Sequence, residues 1–172
     1  VTSVLIVTGP IGVGKSAVLH QADALLIDAR VPHATVVMEE IAGCWPLSPE
    51  DPALRTTHLY NNLAALWSNF KARGAGRLLV EMLIEHRSDL RPMHEAVPGA
   101  EITVVRLEAP LALIEQRIRR REPYPEPELS GARWWQERMD RLAVEDFLVD
   151  NACRPVREVA RDVLRGAGWL QR

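Results

Sequence analysis

Eight residues, Gly9-Pro10-Ile11-Gly12-Val13-Gly14-Lys15-Ser16, constrain this chain more than any other stretch. They follow a phosphate-binding pattern: a glycine, four residues, then Gly-Lys-Ser. The flanks agree with it. Val4-Leu5-Ile6-Val7 is a β-branched apolar run that reads as a strand, and Ser16-Ala17-Val18-Leu19 begins a helical pattern directly afterwards. A strand that feeds a helix through such a turn is the context in which the pattern has chemical meaning.

Each residue type answers a separate demand. Gly9, Gly12 and Gly14 tolerate positive φ and lack the Cβ atoms that would hold the backbone away from an anion. The consecutive N–H groups of Gly12, Val13, Gly14, Lys15, Ser16 and Ala17 can then face the β- and γ-phosphate oxygens of ATP. The start of the helix adds its partial positive charge. Lys15 supplies a mobile cation for the phosphate that is transferred, and the Ser16 hydroxyl suits a Mg²⁺ that keeps most of its waters.

Composition bounds what surrounds this turn. At 172 residues the chain is expected to form one domain, residues 1–172, with 47% hydrophobic and 26% charged residues, as in ordinary globular proteins. A formal charge of −2 gives no reason to expect nucleic acid or an anionic membrane as partner. Cys44 and Cys153 are far apart and lack metal-ligand spacing, which favours a reduced, cytoplasmic setting. No apolar run is long enough to cross a bilayer, and the apolar start, interrupted by Gly9-Pro10, is too short for a signal peptide.

Beyond the turn, strand-like and helix-like segments alternate. A helix is expected from about Lys15 to Leu26, its apolar face formed by Val18, Leu19, Ala22, Leu25 and Leu26. Thr35-Val36-Val37-Met38 reads as a second strand that delivers Glu39 and Glu40 at its carboxyl end, where α/β sheets place ligands. The prolines at 46, 49 and 52 predict an irregular loop around Trp45, and Leu54 to Arg73 an amphipathic helix. Leu78-Leu79-Val80 is a third strand ending at Glu81, and Asp89 to Val97 a helix interrupted near Pro92. Ile102 to Leu107 is a fourth strand, and Pro110 opens a helix carrying Arg117 and Arg121. Pro123, Pro125 and Pro127 are expected to break regular structure before a helix from about Ala132 to Ala143. Phe147-Leu148-Val149 is a fifth strand ending at Asp150-Asn151, and Pro155 opens the last helix. Five apolar strands separated by helices imply an α/β architecture with a parallel sheet covered on both faces.

The phosphate turn, the basic run Arg117-Ile118-Arg119-Arg120-Arg121, and the late segments Asp146 to Asn151 and Pro155 to Ala160 together resemble the small P-loop kinases. Within that group the chain is similar to adenylylsulfate-kinase-like proteins and, more distantly, to tunicamycin-resistance ATP-binding proteins. The resemblance implies a P-loop NTPase fold with a short lid at about 121–135 and an acceptor-side region at about 39–62. It implies ATP and Mg²⁺ as cofactors and a small hydroxyl-bearing molecule, such as a nucleoside, sugar or antibiotic, as phosphoryl acceptor.

Residue roles follow from the same resemblance. The family often carries an Asp-x-Asp pair after the second strand; here Val37 takes the first place and Glu39 the second. Glu39 is thus the candidate to orient the acceptor hydroxyl and take its proton, with Glu40 as its competitor and a solvated loop glutamate as the plain alternative. Glu81 occupies the place of an acid that holds a metal-bound water, in competition with Glu85 and with a structural pairing to an arginine. Arg117 and Arg121, four apart on one helical face, resemble the lid arginines that steady charge on the transferred group, and Arg120 can substitute for either. A solvated basic helix end explains the same residues. Trp45 and Arg55 are candidate acceptor contacts; Asn151, Arg154 and Pro155 fall where these kinases wrap adenine. The other class compatible with the turn is a nucleotide-dependent ATPase or switch with a protein partner, although no Asn-Lys-x-Asp segment is present to read guanine. A protein that sequesters its ligand without turnover is a third.

Overall fold

The computed structural model describes residues 1–44 and 52–171. Five strands, β1 (Thr2–Thr8), β2 (His33–Val37), β3 (Arg77–Glu81), β4 (Ala100–Glu108) and β5 (Phe147–Asp150), form one sheet in the order β2-β3-β1-β4-β5. Every pairing is parallel. The central strand is buried from Val4 to Thr8, whereas edge strand β2 alternates buried and half-buried positions. That contrast is why β1 reads as a continuous apolar run.

The alternation of β1 side chains divides the interior in two. Leu5 and Val7 point into a core shared with Val18, Leu19, Leu26, Val159 and Val163, residues of α1 (Lys15–Asp28) and α6 (Val156–Gly166). Val4 and Ile6 face the other side, packing with Leu63 and Trp67 of α2 (Pro52–Ala72) and Met93 of α3 (Arg91–Ala96). Helices therefore cover both faces, as the strand pattern predicts. From the carboxyl end of β1 the chain turns first toward β2 and β3 and later to β4 and β5 on the other side. The crevice there is the topological switch point.

The predicted elements are present with differences of detail. The helix expected over Asp89–Val97 is divided just ahead of Pro92, into a 3-10 segment, Arg87–Leu90, and α3, in whose first turn Pro92 lies, where its missing N–H costs nothing. The same explanation holds for Pro127, which sits in the first turn of α5 (Glu126–Leu142). The proline-dense stretch is therefore a short turn between α4 (Leu111–Arg121) and a helix that begins well before Ala132. Helix α2 starts at Pro52, two residues ahead of Leu54. The predicted loop around Trp45 lies outside the described residues.

Two polar anchors tie helices to the sheet. Asp23 of α1 accepts bonds from Thr35 (2.6 Å) and His33 (3.1 Å) and pins edge strand β2. Arg106 of β4, almost fully buried, pairs with Asp140 (2.6 Å) and Glu145 (3.3 Å) and fastens the carboxyl end of α5 to the sheet. Among the described residues no helix is long and apolar enough to cross a membrane, and both cysteines are exposed free thiols.

Candidate active site

At Gly12 and Gly14 the phosphate turn has no room for a side chain. Gly12 has φ +83°, and a Cβ there would lie 2.6 Å from Cγ1 of the buried Ile118. Gly14 has φ +106° and caps α1, where a Cβ would sit 2.7 Å from Nδ2 of Asn151. With no side-chain cap on α1, the N–H groups of Lys15, Ser16 and Ala17 sit in the first turn ahead of the first helical bond, Val18 N–H to Gly14 O at 3.1 Å. Such an open helix start presents donors to an anion.

Lys15 reaches back across the turn, its ammonium donating to the carbonyls of Gly9 (3.0 Å) and Pro10 (3.2 Å). Burial holds its pKa below the ordinary lysine value, opposed by the negative charges of Glu81 and Glu39. Strand register brings Glu81 to this point, since it lies opposite Val7 of β1 and Val37 of β2. The Ser16 hydroxyl donates to Glu81 Oε1 at 3.1 Å, while Glu81 Oε2 is buried without a partner. Burial raises the pKa of this carboxyl, against the Ser16 bond and the Lys15 charge.

An alcohol oxygen beside a carboxylate with an unused buried oxygen is a donor set for a hard, oxygen-preferring cation such as Mg²⁺. Among the described residues no group of three or more His, Cys, Asp or Glu is placed to hold a metal. Magnesium fits that count, because it takes few protein ligands and completes its shell with water and phosphate oxygens.

A cavity of about 310 Å³ opens beside the turn, lined by Gly12, Lys15, Glu39, Glu81, Arg121 and Glu128, with Ile11, Val37, Met82 and Leu83 as its apolar wall. Glu39 reaches it because β2 ends at Val37 and the chain turns there into a short 3-10 segment, Glu40–Ala42. That segment is tied to α2 by Asn62, whose side-chain amide donates to Ile41 O at 2.8 Å. Glu40 is exposed and does not line the cavity.

The two arginines separate. Arg121 lines the cavity, bonded to Glu122 (2.8 Å) and Glu128 (2.5 Å). Arg117 does not line it and spends two donors on backbone carbonyls, Val13 O at 2.9 Å and Asn151 O at 2.8 Å. Buried Asn151 donates its amide to the same Val13 carbonyl at 2.7 Å. Arg117 and Asn151 thus brace the phosphate turn from behind.

Other candidates are occupied or remote. Arg154 bonds Asp150 O (3.2 Å) and Asp162 (2.6 Å), Pro155 caps α6, and Glu85 pairs with Arg138 of α5. Arg55 is exposed on α2 and does not line the cavity; Trp45 lies outside the described residues. Sequence reasoning missed Glu128, whose only signal is its position seven residues after Arg121. It also missed Thr8, fully buried beside the turn, whose hydroxyl accepts the Ile84 N–H at 3.3 Å and so holds the segment that follows β3.

No family model matches the sequence, and no curated protein matches it either. Solved structures do. The tunicamycin resistance protein of Deinococcus radiodurans superposes with a TM-score of 0.68 at 19% identity, covering 99% of this chain and 98% of that one. A gluconokinase from Sinorhizobium meliloti 1021 gives 0.63 at 19% identity, covering 96% and 91%. The Mycobacterium tuberculosis APS kinase, solved in complex with AMPPNP and APS, gives 0.63 at 19% identity, covering 97% and 98%. At these identities the likeness establishes the fold, which is that of the small P-loop kinases.

Proposed function

We propose that this chain is an ATP-dependent phosphotransferase whose acceptor is a hydroxyl group of a small molecule. The observation that carries the reading is a single cavity lined together by Gly12 and Lys15 of the phosphate turn, by Glu39 and by Arg121. The kinase fold of the structural neighbours supports it.

In this reading the loop amides and Lys15 hold the β- and γ-phosphate oxygens of ATP, a charge that also restores the lysine's preference for its protonated form. Ser16 and Glu81 are the residues that would hold Mg²⁺, whose charge would offset that of the phosphate oxygens. Glu39 accepts the proton of the acceptor hydroxyl. The freed oxygen forms a bond to the γ-phosphorus as the bond from that phosphorus to the β–γ bridging oxygen breaks, the electron pair leaving on ADP. Arg121 steadies charge on the transferred group when the α4–α5 hairpin, about residues 121–135, closes as a lid. The turn from Asn151 to Pro155 receives the base through backbone groups, because the Arg154 side chain is already engaged.

The test is ADP formation by the purified chain with MgATP and a panel of sugars, nucleosides and nucleoside antibiotics. Acceptor-dependent ADP release that disappears in Lys15→Ala supports the reading. Release that no acceptor stimulates would move the chain to the ATPase class and end it.

A further inference from the structure

Resting on that reading, we infer that the acceptor carries no negative charge, and that Glu128 imposes this selectivity by neutralising Arg121. Among the described residues two cations line the cavity, Lys15 and Arg121. Lys15 belongs to the phosphate turn, where it bonds Gly9 O and Pro10 O and where the γ-phosphate claims it. Arg121 is bonded to both Glu122 and Glu128, so its charge is cancelled within the pocket it lines.

The outcome is the same if Arg121 leaves these partners during the reaction. It then turns to the transferred phosphoryl group, and among the described residues no free cation is left to face the acceptor. What remains for the acceptor is the Glu39 carboxylate, the Glu128 carboxylate and the apolar wall of Ile11, Val37, Met82 and Leu83. An acceptor bearing a carboxylate, sulfate or phosphate would desolvate that charge against like charge and hydrocarbon, which is strongly unfavourable. The sequence leans the same way: the acceptor-side residues 39–62 contain Glu39, Glu40, Glu50 and Asp51 against one arginine, Arg55, which does not line the cavity. A neutral hydroxylated ring meets none of these penalties.

Glu128 is therefore a specificity-determining residue and not only a strut between α4 and α5. Two measurements on the full chain test this. In the first, the protein saturated with MgADP is titrated with inorganic sulfate by calorimetry, as wild type, Glu128→Gln, and Glu128→Gln with Arg121→Ala. Releasing one of two partners is expected to tighten sulfate about threefold, the scale of an exposed ion pair, with the gain erased in the double variant. Glu128→Ala serves as the second variant should the glutamine protein fail to fold. In the second, kcat/KM is compared within matched pairs, glucose with gluconate and uridine with uridine monophosphate.

The uncharged member is expected to be turned over in preference, and the disadvantage of the anionic member to shrink in Glu128→Gln. A strut would leave sulfate affinity and the charge preference unmoved, so an unchanged sulfate affinity in a folded variant overturns the inference. Preference of the wild type for the anionic members overturns it as well while leaving the phosphotransferase reading intact. Absence of turnover with every pair counts against that reading, and the sulfate titration still decides the role of Glu128.

Discussion

Replacing Glu81 by glutamine separates what this residue does for stability from what it does for function. Its Oε2 is buried without a partner, and burial raises its pKa above the ordinary value of 4.5. A carboxyl raised in the folded state binds more protons there than in the unfolded chain, so its contribution to stability is present at low pH. It is lost as pH rises from 4.5 through the folded value. Above its folded value the ionised Glu81 therefore burdens the empty protein. Relief of an unsatisfied buried charged oxygen is worth about 1 kcal/mol at the low end of such penalties. For a chain of this size that is about 2–4 °C in Tm. Magnesium nucleotide reverses the order. At a hundred times Kd the wild type gains about 2.7 kcal/mol. A variant whose affinity is weakened about 10- to 100-fold, as for residues that orient metal ligands, gains only about 1.4 to 0.4 kcal/mol at the same concentration. Differential scanning calorimetry of both proteins, with and without MgADP and from pH 4 to 8, is expected to show Glu81→Gln melting higher when empty and lower when loaded. The empty-protein gap should widen with pH. A variant less stable than wild type in the empty state at pH 7, or stabilised equally by MgADP, would refute the reasoning.

Three further outcomes follow from the same geometry. Glu39→Gln is expected to lower kcat by about 10²-fold or more, the scale of a lost general base, while Glu40→Gln stays within about twofold in the same steady-state assay. Asn151→Ala and Arg117→Ala each leave Val13 O with one donor, so each single change is mild. The double variant orphans that carbonyl and is expected to cost about 1 kcal/mol more than the sum in urea denaturation. Gly12→Ala forces a left-handed backbone on a β-carbon and drives it toward the Ile118 side chain, an expected loss of about 2–4 kcal/mol with weakened ATP binding, checked by the urea midpoint and nucleotide titration.

The fold was legible because its signals are local and periodic. Val4 to Val7 is buried on both faces and reads as a continuous apolar run; Val18, Leu19, Ala22, Leu25 and Leu26 recur at helical spacing and are all buried. Proline was less legible, since its meaning depends on position within an element. The residues Pro92, Pro123, Pro125 and Pro127 look alike in a string, yet Pro92 and Pro127 stand in first turns, where an N–H is not needed. The strand order was not read from the sequence at all, because crossovers leave no local trace. It is this order that sets Glu81 beside Val7 and the phosphate turn.

The site shows the same division at finer scale. Helical spacing placed Arg117 and Arg121 on one face of α4, and four residues of helix advance a side chain by about 6 Å along the axis. That advance decides between two environments. At Arg117 the guanidinium meets two backbone carbonyls, Val13 O of the phosphate turn and Asn151 O just past the end of β5. At Arg121 it clears those carbonyls and enters the cavity, where a glutamate from the next helix meets it. Spacing states which side chains share a direction; it does not state which acceptors wait there, since those come from segments 104 and 34 residues away in one case and 7 in the other. A charge pattern that reads as two equivalent lid arginines thus resolves into one brace and one residue that lines the cavity. Of the two arginines, only Arg121 lines the pocket, where Glu128 meets it.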